Sequence, residues 1–293
     1  MGTPLVAARL AAPAPTDWIA ERQHDGALGS RHEGSPLDAI GAAIAARAGD
    51  TPLGLADPLV VTDPAAGGWI SGASLVDGEA LPLLLGGPTE RWGATPHAAA
   101  ALAWKAYTYW LVLPAVVGLT RTDRVPLLGA DNVLVRLAYQ TPFVTIGMRR
   151  PTVAVLPGDP YADHPDTIVV PDRDALLDAL VGSLLTRHLA PLADATRARV
   201  RIGGRILSGS IAASVAYALR FVSTMDGEGV AAQGKAILDA LSVTDLVALD
   251  EAGDGTVEVR RKTCCLAFTV PSLSICSTCC IQPETHLGGS DPA

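Results

Sequence analysis

The sequence predicts a helix-rich α+β protein with a small antiparallel β element and a short cysteine-rich segment near its C-terminal end. Three observations support this prediction. Several stretches repeat apolar residues at helical spacing, three short runs are rich in β-branched residues, and all five cysteines lie between positions 264 and 280. We therefore expect a body over residues 1–250 and a distinct C-terminal segment over residues 251–293.

The N-terminal third is expected to contain short elements joined by loops. A short helix over Pro4–Ala12 and a polar linker over Gln23–Gly34 come first. A helix over residues 35–48 follows, with a serine suited to its N-cap and Gly49 placed to end it. Residues 50–93 are dense in glycine and proline, so we expect loops with brief strands or short helices there.

The longest apolar stretch, residues 98–119, has a composition that approaches that of a membrane span. Lys105 lies inside it, where a charge costs about 2.5–3.5 kcal/mol on insertion scales, and Pro114 is expected to break the helix near its end. We therefore predict a buried amphipathic helix and no transmembrane span, and peripheral membrane association stays open. The first residues lack the basic region of a secretory signal, which favours a cytoplasmic protein.

The middle of the chain predicts strands, and the later part predicts helices. Three β-branched runs separated by turn residues indicate a small meander, at Val133–Ala138, Phe143–Met148 and Val153–Leu156. The later helices are expected at about residues 171–188, 208–221 and 229–241, where apolar residues return to one face.

Composition limits the classes of partner. The chain is 49% hydrophobic, which is enough to bury at least one large core over 293 residues. Its formal net charge is −8. This argues against nucleic acid as a partner, because phosphate binding needs a basic face. An acidic surface instead favours a neutral or cationic ligand, or a protein with a basic patch.

The cysteines form the clearest candidate site. After an alternating, strand-like run at Val257–Arg261, the chain reads Cys-Cys, ten residues, Cys, two residues, Cys-Cys. The candidate ligands are the vicinal pair and the Cys-x-x-Cys pair: Cys264, Cys265, Cys276 and Cys279. We interpret the fifth cysteine, Cys280, as a spare thiol. Cysteines that served only as small core residues would be scattered, so this clustering needs a chemical reason.

Three chemistries compete for these thiols. Disulfides are disfavoured by the odd count and the expected reducing compartment. Structural zinc suits the Cys-x-x-Cys pair, but adjacent side chains diverge, so the vicinal pair serves one tetrahedral ion poorly. A 2Fe–2S cluster needs two thiolates on each of two irons, a more extended target that neighbouring cysteines reach more easily. Spacing favours the cluster and leaves the other two open.

The pattern Cys264-Cys265, ten residues, Cys276, two residues, Cys279 resembles that of the FhuF-like ferric siderophore reductases. The segment Arg199–Arg220 is also similar to the Arg-led helix that precedes the cluster domain in that family. The resemblance implies a 2Fe–2S cluster on the four cysteines and no catalytic residue beyond it. It also implies an oxidoreductase activity in which siderophore-bound Fe(III) is reduced to Fe(II) and released.

The same resemblance implies the partners. The substrate would be a ferric hydroxamate siderophore, and the acidic composition would favour a cationic one such as a ferrioxamine. No G-x-G-x-x-G motif follows a clear strand, so we expect an external electron donor such as a ferredoxin or a reductase. Arg260, Arg261 and Lys262 would stabilise the charge of the cluster, dock an acidic donor, or form a solvated strand edge. A structural zinc protein and a general iron–sulfur electron carrier are the alternative functions.

Overall fold

The structure is a computed structural model that describes residues 34–140, 142–224, 229–253, 255–276 and 278–281. The helix expected over Pro4–Ala12 and all but the last residue of the expected linker lie outside these residues. Helix accounts for 49% and strand for 15% of the structure. The predicted helix-rich α+β class is therefore confirmed.

The elements follow one another in a mixed order. The helices are α1 (Asp38–Ala48), α2 (Gly72–Val76), α3 (Leu81–Trp92), α4 (Pro96–Thr122), α5 (Arg173–Leu180), α6 (Ala190–Arg199), α7 (Gly204–Ser223) and α8 (Val230–Ala240). A π-helical segment, Val181–Leu189, joins α5 to α6 without a break. The strands are β1 (Leu55–Val60), β2 (Ile70–Ser71), β3 (Arg124–Pro126), β4 (Val133–Leu137), β5 (Val144–Met148), β6 (Val153–Val155), β7 (Thr167–Val169), β8 (Val247–Glu251) and β9 (Val257–Arg261).

Helices α4 and α7 form the centre of the molecule and run side by side in the same direction. The indole Nε1 of Trp104 donates to the Leu207 carbonyl at 2.9 Å. Two turns further along α7, the Ser214 hydroxyl donates to the Thr108 hydroxyl of α4 at 3.1 Å. Most of α4 is buried. The prediction of a buried helix here is confirmed, although it is buried nearly all round rather than on one face.

The predicted break at Pro114 is wrong, because α4 continues through this residue to Thr122. Proline removes one backbone donor and disfavours the helix locally. The residues around it, from Leu111 to Val117, are almost completely buried in the core. Tertiary packing therefore holds the helix together across a residue that would end an isolated one.

Two helices, α4 and α7, are long and apolar enough by composition to cross a membrane. About 78% of the most apolar window of α4 and 72% of that of α7 is buried inside the protein. Core helices of globular proteins meet the same criteria, so the two helices are weak evidence for a membrane span.

The strands of the middle region divide between two sheets. β4 and β5 pair antiparallel, as the predicted meander requires, in a four-stranded sheet of order β1-β5-β4-β2. The third run does not join them, because β6 pairs with β3 and β7 in a separate sheet. Asn132 explains the change of direction: its side-chain amide bonds both the N–H and the carbonyl of Arg150, in the turn between β5 and β6.

Two helical regions differ from the sequence prediction in length. Helix α3 occupies a segment rich in glycine and proline, where Gly87 allows close packing because a Cβ there would lie 2.3 Å from the Phe143 ring. The helix expected to end at residue 188 continues to Arg199. Its π-helical segment places the His188 ring between the Tyr107 hydroxyl (2.6 Å) and the Leu128 carbonyl (2.7 Å). Burial lowers the pKa of His188 to about 4, so this central pair is neutral.

The C-terminal part begins with an antiparallel hairpin, β8 and β9, that packs on α7 and shares the main core. The contact is close, since a Cβ on Gly209 of α7 would lie 2.0 Å from the Thr263 hydroxyl. Thr263 directly precedes the first cysteine. The expected boundary between residues 250 and 251 falls inside β8, and the hairpin fixes the start of the cysteine segment against the body.

Candidate metal centre

The cysteine segment packs on the N-terminal half of α4. After β9 the chain forms a short 3₁₀ turn at Ala267–Thr269, and Cys265 and Val270 join a small apolar cluster with Ala98, Ala99 and Leu102 of α4. Cys265 is buried with 2% exposure, Cys264, Cys276 and Cys279 are partly exposed, and Cys280 is exposed. This packing brings the two halves of the motif to the same face of α4.

The structure brings the vicinal pair and the Cys-x-x-Cys pair into contact through Cys265 and Cys276. The Cys276 thiol donates a hydrogen bond to the sulfur of Cys265. The backbone N–H of Cys279 donates to the Cys276 carbonyl at 3.0 Å, which closes the Cys-x-x-Cys turn. Cys264 interacts electrostatically with Cys265, Cys279 and Cys280. Residues that are distant in the motif are therefore neighbours in the fold.

Backbone amides already point at the sulfurs. The N–H of Leu266 donates to Cys264 Sγ at 3.2 Å, and the N–H of Ala267 donates to Cys265. Such bonds stabilise negative charge on sulfur. Thr278 does not bond a sulfur; its hydroxyl bonds the Tyr217 hydroxyl instead. Ser277 lies outside the described residues.

The thiols differ in how readily they ionise. The hydrogen bond from Cys276 and the positive charge of Lys105 lower the pKa of Cys265 to about 5, against the opposing effect of burial. The same hydrogen bond and burial raise the pKa of Cys276. Burial also raises the pKa of Cys264. Cys265 therefore ionises more readily than Cys264 or Cys276.

Two cations act on the thiols electrostatically. Lys105 Nζ is 4.0 Å from Cys265 Sγ. Arg261 is 2% exposed, and its Nε and both Nη atoms have no hydrogen-bond partner among the described residues. Its charge acts on Cys265 and Cys280. A buried guanidinium without a counter-ion is costly, so this position suits a protein that carries an anionic group nearby.

The donor set fits a metal–thiolate group in its chemistry. Thiols, backbone amide donors and the charges of Lys105 and Arg261 act in the same segment, and these are the groups that an anionic iron–sulfur cluster needs around it. Within the described part of the chain, no three His, Cys, Asp or Glu side chains converge as ligands of a single metal ion. Cys265 accepts a hydrogen bond from the Cys276 thiol, whereas Cys264 accepts one from the backbone N–H of Leu266. The two vicinal thiols therefore occupy different positions and do not face one point.

Two depressions share Lys105 and Tyr109 in their lining, and one of them reaches the cysteines. The cysteine-side depression, about 300 Å³, is also lined by Trp92, Leu273 and Cys276. The second, about 430 Å³, is the basic groove, and its other lining residues include Arg47, Tyr217 and Arg220. Both volumes fall in or near the range typical of small-molecule sites.

Sequence reasoning missed the residues of these depressions. Lys105 was noticed only as an obstacle to a membrane span, although a single lysine inside a long apolar stretch is itself a signal of a functional position. Arg47, Tyr109 and Arg220 gave no signal, because they lie on three different helices whose packing alone brings them together.

Comparisons with known proteins return no match: no family model and no curated protein aligns significantly with the chain. The resemblance to the FhuF-like reductases therefore rests on the spacing of the cysteines and on the segment before them. The class of protein has to be inferred from the chemistry of the site.

Proposed function

We propose that the chain is an iron–sulfur oxidoreductase that binds a 2Fe–2S cluster through Cys264, Cys265, Cys276 and Cys279 and reduces ferric siderophores. The observation that carries the proposal is the buried guanidinium of Arg261, which has no hydrogen-bond partner among the described residues and whose charge acts on Cys265 and Cys280. Two ferric ions, two sulfides and four thiolates leave a net negative charge, which Arg261 and Lys105 are placed to balance.

The arrangement of the vicinal pair supports two metal ions over one. Cys264 and Cys265 have different hydrogen-bond partners and different exposure, so their sulfurs suit two separate ligand positions. A single zinc ion would need both to turn onto one tetrahedral centre. Structural zinc therefore remains an outcome of the test and not a second proposal.

The chain's own residues would tune and shield the site. When bound, the cluster supplies one electron at a time. Lys105 and Arg261 favour the additional negative charge of the reduced state, and the amides of Leu266 and Ala267 do the same through sulfur. The buried side of Cys265 excludes water, whereas Cys276 lines the cysteine-side depression and marks the edge that a substrate approaches.

The reaction balances without an acid or a base. An external ferredoxin or reductase gives one electron, and hydroxamate-bound Fe(III) becomes Fe(II). Hard oxygen donors bind the less charged ferrous ion far more weakly, so reduction releases the metal. No proton transfer is needed for the electron step, which agrees with a site composed of thiols, amides and cations.

A ferrous-trap assay tests the proposed activity. The full chain is purified without oxygen, reduced with dithionite, freed of excess reductant and mixed with a ferric hydroxamate and a ferrous-specific chelator. We expect trapped Fe(II) in proportion to the electrons stored, and loss of this yield in Cys276→Ala but not in Cys280→Ala. A reduced protein that gives its electrons to a general acceptor and never to the siderophore would be a carrier. That result would contradict the proposed reductase function.

A further inference from the structure

The basic groove carries a local charge opposite to that of the whole protein. Arg47, Lys105 and Arg220 line it, whereas the chain has a formal net charge of −8. None of its described lining residues is acidic, and none of these three cations forms an ion pair with a described carboxylate. Cations clustered in a concave surface attract an anion.

Aromatic rings and held side chains give the groove a defined shape. Arg47 donates from Nε to the Thr224 hydroxyl at 2.6 Å, and its guanidinium lies 5.6 Å from the centre of the Phe221 ring. Tyr109 and Tyr217 pack edge to face at 6.4 Å. These two contacts hold the guanidinium of Arg47 in place and leave its two terminal nitrogens available. Such an arrangement suits the recognition of a carboxylate.

The groove connects directly to the cysteines. Lys105 and Tyr109 line both depressions, and Cys276 lines the one on the cysteine side. Lys105 also approaches Cys265, and Tyr217 bonds Thr278 in the turn between Cys276 and Cys279. A ligand held by Arg47 and Arg220 would therefore extend along Tyr109 and Lys105 towards the metal centre.

We propose that the basic groove binds an anionic ferric hydroxamate, one whose frame carries free carboxylates, and holds it with Arg47 and Arg220 while its iron lies towards Cys276. This inference rests on the proposed function and adds the charge class of its substrate. It replaces the cationic ferrioxamine that net charge alone favours. Docking of an acidic electron-donor protein in the groove is an outcome that the test distinguishes.

The test uses two chelates that share one iron centre and differ in the pendant group and its charge. Ferrioxamine B carries a free ammonium, and N-succinylation converts this amine to an amide whose added chain ends in a carboxylate. Both hold iron through the same three hydroxamates, so the driving force for reduction is matched. Their gallium(III) forms report binding without reduction. The groove variant is Arg47→Glu/Arg220→Glu, and the control is Arg149→Glu/Arg150→Glu, an exposed pair after β5 that lines neither depression and changes the net charge equally.

Titration calorimetry of the oxidised holo-protein with the gallium chelates is the first measurement. At low salt we expect the succinylated form to bind about tenfold or more tightly than the cationic form, and added salt to reduce this preference. The groove variant should lose the preference and the control should keep it. Equal affinities for both chelates, or a groove variant that keeps the preference, would overturn the inference.

Rates of iron reduction separate this inference from the function on which it rests. If the wild-type protein reduces both ferric chelates equally well and the groove variant is unaffected, the groove assignment is wrong and the reductase function stands. If the protein selects the anionic gallium chelate but reduces neither iron form, the binding site stands and the reductase function is wrong. A groove variant that slows only reduction of the protein by an acidic ferredoxin would identify a donor site and overturn the inference.

Discussion

Three adjacent basic residues at the end of β9 illustrate how much a single position decides. Arg260 and Lys262 are exposed, and Arg260 lies 3.7 Å from Asp250 across the hairpin. Arg261 faces the opposite side with Val257 and Val259, because side chains alternate along a strand. Arg260 and Lys262 therefore form the solvated edge, whereas Arg261 lies on the buried face, from which its charge acts on Cys265 and Cys280.

Replacing Arg261 should stabilise the metal-free protein and lower the reduction potential of the loaded protein. In the metal-free protein, Arg261→Met removes a buried charge without a partner, and we expect the free energy of unfolding to rise by about 1–3 kcal/mol. In the loaded protein it removes a counter-charge, and we expect the reduction potential to fall by about 60 mV, a tenfold change in a one-electron equilibrium. Denaturant unfolding and a redox titration measure the two effects.

Arg260→Met is the matched control, since it removes the neighbouring charge from the exposed face of the same strand. We expect both quantities to change little in this variant. A metal-free Arg261→Met protein that is less stable than wild type would show that Arg261 has a structural partner. An unchanged potential in the loaded form would show that its charge does not act on the centre.

At the scale of elements, the site depends on the closeness of α7 to the chain that enters the cysteine motif. Gly209 leaves room for Thr263, whose hydroxyl and Cβ occupy the space that a side chain at position 209 would need. Both elements are otherwise buried at this contact, so neither can move away cheaply. The position of Cys264 is thus set from a helix in the body.

Gly209→Ala should therefore damage the site and the fold together. We expect a loss of about 1–3 kcal/mol in unfolding free energy from overpacking, and a lower iron content because Cys264 is displaced. Gly204→Ala on the same helix is the control, because no atom lies within 4 Å of its added Cβ. Thermal unfolding and iron analysis make the comparison. Equal behaviour of the two variants would show that the approach of Thr263 to α7 does not position the ligand.

Local signals in the sequence were enough to predict many elements. Gly49 ends α1 with a φ of 55°, and β9 alternates as expected. The failures were of another kind. The course of α4 through Pro114 and the transfer of β6 to a second sheet depend on packing between distant residues, which a local pattern does not contain.

The candidate site divides in the same way. The four cysteines could be predicted because their spacing lies within one short segment. The cations and rings around them, such as Lys105, Tyr109 and Arg220, lie far away in the chain on α4 and α7. The packing of these two helices brings them to the cysteines, and of the three only Lys105 gave a local signal, as a charge inside a long apolar stretch.

At the scale of the whole molecule, net charge and local charge point to different ligands. The formal charge of −8 favours a cationic ligand, yet the surface beside the cysteines collects Arg47, Lys105 and Arg220. The electric field in a cleft depends more on the charges that line it than on the net charge of the protein, because salt largely screens charges that are more than about 10 Å away. Net charge is therefore a poor guide to the charge of a ligand that the basic groove would attract.

The four cysteines as ligands of an iron–sulfur cluster are the central claim, and the metal and sulfide content of the anaerobically purified full chain tests it most directly. We expect about two iron and two acid-labile sulfide per chain. Both should be lost in single alanine variants of Cys264, Cys265, Cys276 and Cys279 and retained in Cys280→Ala. A colourless protein with one zinc per chain and no sulfide would contradict it.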